Sequence, residues 1–174
     1  MTEFPFESEP FDLKCWVPQH GTATSLTFQF RHLEAGMEEY AITNITLRRG
    51  EKTFESSFAT HKSQLREFAD FLRQIPSATA AHFSLMDDEY GEMVLCFNVL
   101  DPGSGKVTFG GRMIDERWFS IPVSAGRFVA ACKTNPRVNV GGVHVVFDGF
   151  ETDQTYLHQL GTAILWFLNQ STKD

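Results

Sequence analysis

Asp87, Asp88, Glu89, Tyr90 and Glu92 place four carboxylates and a phenol within six positions. Two carboxylates work as an acid/base pair only where their surroundings push their pKa values apart. The segment reads as a turn between two strands, and a turn at a hairpin end is solvated. That leaves two readings: a solvated turn, or an acidic epitope for a basic partner. Tyr90, in the middle, is of a type enriched at interface hot spots.

The other candidate chemistry tests poorly. Gly103-Ser104-Gly105-Lys106-Val107-Thr108 has the flavour of a phosphate loop, but the GxxxxGK[ST] spacing is missing, with Leu100 and Val107 at the decisive positions. It also reads as a strand-to-strand turn, where no helix N-terminus is expected to hold phosphate. The histidines, His20, His32, His61, His82, His144 and His158, form no HxH or HExxH pair. Only His82 and His144, both on expected strands, could meet across a sheet, so no metal site is expected. Cys15, Cys96 and Cys132 form no CxxC pair. Cys96 lies in the apolar run Val94-Leu95-Cys96-Phe97, where a thiol behaves as a small hydrophobe. Ser104 lacks the GxSxG setting of an exposed nucleophile. The expectation is a non-enzyme with no cofactor.

Composition narrows the class. The 174 residues carry 42% hydrophobic and 21% charged side chains, which suits one globular domain. Seventeen phenylalanines point to a sheet-rich fold with an aromatic core. The net charge of −7 argues against nucleic acid, which needs a lysine and arginine footprint, and suits a basic partner. The start, MTEFPFESEPF, lacks the cationic and apolar regions of a signal peptide. No run approaches the roughly 18 apolar residues of a membrane span. A cytoplasmic protein with no membrane association is expected. Residues 1–10 read as a flexible acidic leader, and 11–174 as a single domain without internal repeat.

The elements that hold these residues follow from periodicity. Leu26–Arg31, Ala41–Arg49, Thr53–Phe58, Val107–Phe109, Phe119–Val123 and Val143–Phe147 alternate with period two, as half-buried strands do. Phe83 and Leu85 share a face of a short strand. Met93–Leu100 is apolar on both faces and reads as a central strand. The short links Arg49-Gly50-Glu51, 87–91 and 101–105 imply antiparallel neighbours. Lys62–Ile75 and Gln154–Asn169 switch to helical period, with Thr60 and either Thr152 or Asp153 as N-caps. Gly161 costs its helix about 1 kcal/mol against Ala and is expected to permit close packing on the sheet. The fold class is α+β, a mostly antiparallel sheet with two amphipathic helices packed on it.

One string adds a family. Glu151-Thr152-Asp153-Gln154-Thr155-Tyr156-Leu157, preceded by the glycine-rich strand at 105–111 and by Val143–Phe147, resembles the signature of WapI-like immunity proteins. The helix around Leu65–Leu72 followed by three strands is similar to that family's arrangement. Residues 125–142 read as an insertion. The resemblance implies a bacterial, toxin-neutralising protein whose partner is another protein, a basic toxin domain being the case that suits the acidic balance. The acidic residues 87–90 and 92 are then the expected contact. The alternative is a small-molecule-binding domain with an apolar pocket between sheet and helices.

Overall fold

The computed structural model describes residues 7–17, 24–33, 36–75, 81–87, 92–101, 105–115 and 143–170; for 81–87, 92–101, 112–115, 143–146 and 148 it describes the backbone alone. The elements run β1 Phe11–Cys15, β2 Thr24–His32, β3 Tyr40–Arg49, β4 Lys52–His61, α1 Lys62–Gln74, β5 Ala81–Asp87, β6 Glu92–Asp101, β7 Lys106–Asp115, β8 Val143–Asp153 and α2 Gln154–Gln170. The class is α+β and every strand pairing is antiparallel. The strands divide into two sheets, β1-β2-β3-β4 and β5-β6-β7-β8, because α1 interrupts the meander after its fourth strand. Met93–Leu100 falls on β6, an inner strand as its apolar pattern requires. Phe119–Val123 and 125–142 lie outside the described residues.

Among the described residues the order of elements repeats: four strands paired in sequence order, then a helix, twice. In both halves the fourth strand enters its helix with no loop, His61 to Lys62 and Asp153 to Gln154. The sequence shows the repeat only once the elements are superposed, at an offset of 92 residues from His61 to Asp153. At that offset Thr60 matches Thr152, Leu65 matches Leu157, Phe68 matches Leu160, Ala69 matches Gly161, Leu72 matches Ile164 and Ile75 matches Phe167, and every one of these is buried. Of these six pairs only Thr60/Thr152 and Leu65/Leu157 are identical, so no repeat stands out along the chain.

The caps repeat as well. His61 Nδ1 accepts from the Ser63 N–H at 3.2 Å, and Asp153 Oδ1 accepts from the Thr155 N–H at 2.7 Å. Each satisfies an orphan donor of the first helical turn. The next donor is met from the link between second and third strands: Lys62 N–H reaches Glu39 O at 2.7 Å, and Gln154 N–H reaches Gly105 O at 2.9 Å. Thr60 is therefore not the N-cap of α1. It is the last inward residue of β4, and its hydroxyl lies 3.0 Å from that of Thr43 in the buried core. Thr152 holds the same place and donates to Lys14 O at 2.7 Å.

The core is one continuous cluster drawn from both halves. The helices pack on each other, and each also touches a strand of the other half, α1 against β5 and α2 against β1. Gly161 serves this contact and not a sheet. A Cβ there would lie 2.7 Å from Ala69 O and 2.8 Å from Arg73 Cγ, so only a bare Cα lets α1 approach so closely. Phe167 of α2 crosses to the first sheet, its ring 5.5 Å from Phe30 and 4.0 Å from His32. The sheet edges also meet: Trp16 and Glu151 exchange backbone hydrogen bonds of 3.0 and 2.8 Å, and the Trp16 indole donates to Glu151 Oε2 at 2.9 Å.

Two features were not read from the sequence. β1 alternates Phe11, Leu13 and Cys15 inward over only five residues, too few to stand out beside Pro10. The expected leader is partly tied down. Ser8 N–H donates to Phe30 O at 2.7 Å, and the buried Ser8 hydroxyl accepts from Phe30 N–H at 2.9 Å.

Candidate partner-binding site

The acidic segment closes the β5–β6 hairpin. Asp87 is the last residue of β5 and Glu92 the first of β6, and the register sets them opposite each other. Asp88, Glu89 and Tyr90 come between them in the sequence and lie outside the described residues, as do the side chains of Asp87 and Glu92. The chain thus brings the two ends of the cluster to one cross-strand pair. Like charges opposite each other on an antiparallel pair are unfavourable.

The glycine-lysine turn occupies a different setting from the one expected. Gly105 lies beside the N-terminus of α2, its carbonyl receiving Gln154 N–H. A helix start is present after all, and two of its donors are taken internally, Gln154 N–H by Gly105 and Thr155 N–H by Asp153. The Thr155 N–H, and then its hydroxyl, hold the Asp153 carboxyl below its ordinary range. An anion would have to displace that carboxylate. Lys106 is exposed at the start of β7.

His82 and His144 do not meet. They sit on β5 and β8, the two outer strands of the second sheet, with β6 and β7 between. His82 pairs with Asn98 and His144 with Ile114. No group of three His, Cys, Asp or Glu among the described residues is placed to hold a metal. The Cys15 thiol is buried on the inward face of β1, and burial pushes it up to about 11, well away from thiolate chemistry at neutral pH.

Sequence reasoning missed His32. Its ring lies nearly parallel to that of Phe167, at 9° and 4.0 Å. Burial, then the nearby Lys62 ammonium, lowers its pKa from the ordinary 6.5. The available signal was alternation, which puts His32 on the same inward row as Leu26, Phe28 and Phe30.

One cleft among the described residues is open and partly polar rather than an enclosed apolar pocket. It is a dish of about 290 Å³ on the outer face of the first sheet, lined by Gln29, Asn44, Thr46, Glu55 and Ser57. Gln29, Asn44 and Ser57 stand side by side across β2, β3 and β4. Large apolar side chains at the surface are few among the described residues: Trp16, Met37 and Trp166, the last 54% exposed. No described helix is long and apolar enough to cross a membrane. Comparison with family models, curated proteins and solved structures returns no match.

Proposed function

We propose that the chain is a non-enzymatic protein-binding module, an immunity protein that binds and neutralises a bacterial toxin through the acidic end of the β5–β6 hairpin. The observation that carries this reading is the register of that hairpin, which pairs Asp87 with Glu92, with Asp88, Glu89 and Tyr90 between them in the sequence. An unfavourable like-charge pair is relieved when cations of a partner meet it. A toxin acting on nucleic acid offers such cations, and the carboxylates then stand where phosphates would bind. Tyr90 contributes apolar area and a hydroxyl at the centre.

The test is protection. Cells producing a toxin domain encoded beside this chain should survive when the chain is co-produced. Replacing Asp87, Asp88, Glu89 and Glu92 by Lys should remove protection and weaken measured affinity at least tenfold, the order expected for a few lost charge contacts. Affinity of the unaltered chain should fall as salt rises. Protection that survives the replacement overturns this epitope, and absence of protection by the unaltered chain overturns the function.

A further inference from the structure

The outer face of the first sheet is hollow and carries little charge. Along β2 and β3 the inward rows are apolar and buried, with Leu26, Phe28, Phe30, Ile45 and Leu47. The outward rows hold Thr27, Gln29, Asn44 and Thr46, and charge returns only at their ends, with Arg31 on β2 and Arg48 on β3. A solvated surface ordinarily interleaves charges of both signs, as α1 does with Arg66, Glu67, Asp70 and Arg73. The register sets Gln29, Asn44 and Ser57 side by side across three strands, with Thr46 beside Glu55 two residues further along. Gln29 and Glu55, the longer side chains, stand on the two outer strands of this group, and the shorter Asn44, Thr46 and Ser57 leave the dish of about 290 Å³ between them. Ile45 and Ser56 also line it; both face inward, so what they present is backbone. The Gln29 amide is fixed, its Nε2 donating to Ser8 O at 3.3 Å. Among the described residues the side chains of Asn44, Thr46 and Ser57 have no hydrogen-bond partner.

We propose that this dish is a carbohydrate-binding site that takes one neutral sugar ring through its hydroxyls. Most small-ligand sites are lined mainly by apolar side chains. Here every side chain that reaches the dish is polar, so the occupant has to offer hydrogen-bonding groups over the whole face it presents. Amide and hydroxyl side chains both donate and accept. The ligand group that matches them in either sense is itself a hydroxyl, and a ring carrying several hydroxyls meets several of these side chains at once. An anion finds no Lys or Arg in the lining. A cation finds only Glu55, which already has a neighbour. With roughly four lone-pair sites, that carboxylate still accepts from sugar hydroxyls. The size agrees: three strands span about 10 Å and two residues along a strand about 7 Å, the footprint of a single hexose ring. An open dish of this kind holds such a ring weakly, with a dissociation constant on the order of 1 mM. The site lies on the other sheet from the acidic hairpin and stands whether or not that hairpin meets a toxin.

The test is a titration of the full nitrogen-labelled chain with glucose, galactose, mannose and N-acetylglucosamine, followed by proton–nitrogen correlation spectra. At least one of these sugars should give saturating shifts at the Gln29 and Asn44 side-chain amides and at the backbone of Thr46 and Ser57. Asn44→Val and Ser57→Val place a strand-favouring residue at each position, so the fold is kept. Each should weaken that sugar about tenfold, with the rest of the spectrum in place. Replacing Asp87, Asp88, Glu89 and Glu92 by Lys should leave sugar binding unchanged, which separates this site from the hairpin. Inorganic phosphate and tetramethylammonium serve as probes for an anionic or a cationic occupant. The proposal is overturned if none of the four sugars saturates, if both valine variants bind as the native chain does, or if either ionic probe binds this dish more tightly than every sugar.

Discussion

Asp153 and His61 do the same work with different chemistry, and that makes an exchange informative. Each accepts from the N–H two residues ahead, in Asp153-Gln154-Thr155 and His61-Lys62-Ser63. His61→Ala should cost about 1 kcal/mol, the usual value of a lost N-cap, while His61→Asp should retain the stability. Urea midpoints of the two variants check this; equal losses would mean the cap contributes nothing at that position. Gly161 makes a stronger claim. Ala is the better helix former by about 1 kcal/mol. Yet its Cβ would stand 2.7 Å from Ala69 O, a backbone atom that can yield only if α1 moves. Gly161→Ala should therefore destabilise by about 1–3 kcal/mol in the same measurement, as overpacking does. A stabilised variant would show that the helices slide freely.

At the level of elements, the stack of His32 on Phe167 couples the end of β2 to the end of α2. The His32 pKa is lowered in the folded chain, so the neutral ring is the form that fits. Stability from this contact is present above the ordinary value of 6.5 and is lost as pH falls through it, because the unfolded chain then binds the proton first. Urea midpoints taken between neutral and mildly acid pH should fall for the native chain and fall less for His32→Phe, which keeps a ring on Phe167 without a titrating group. Parallel slopes would sink the argument. This contact also marks where the sequence stops being legible. Period-two and period-3.6 patterns locate most strands and both helices, since each pattern depends on neighbours within one element. What they miss is which element covers which face. Gly161 was legible as a close-approach site, but whether a sheet or a helix approaches depends on residues near Ala69, far away along the chain. In the same way β8 reads as alternating up to Phe147, whereas Phe150 lies on the same face only because the register shifts around Gly149, at φ +69°. That bulge brings the Phe147 and Phe150 rings to 5.2 Å. As for the site, Asp87 and Glu92 were legible as the facing ends of two neighbouring strands, while the place of His32 against Phe167 was not, because it depends on an element far along the chain.

The whole molecule raises the question of whether a duplicated chain behaves as two domains or one. Element order alone argues for two, since each half has its own meander and helix. The packing argues for one. The helices bury their apolar faces against each other, Phe167 of the second half stacks on Phe30 and His32 of the first, and Trp16 is bonded to Glu151 across the sheet edges. A half released from the other would expose Leu65, Phe68, Ala69 and Leu72 on α1, or Leu157, Leu160, Ile164 and Phe167 on α2, all buried in the intact chain. At roughly 1.5–3 kcal/mol for each large apolar side chain, that exposure rivals the entire stability of a small domain. The chain should therefore unfold in one cooperative step. Variants retaining only Trp16 or only Trp166 report on the two halves separately, and their fluorescence transitions in urea should coincide with each other and with circular dichroism. Gly161→Leu wedges the helices apart and should lower both midpoints together. If instead the Trp166 transition shifted while the Trp16 transition stayed in place, the halves would be independent and the shared core would be an accident of contact.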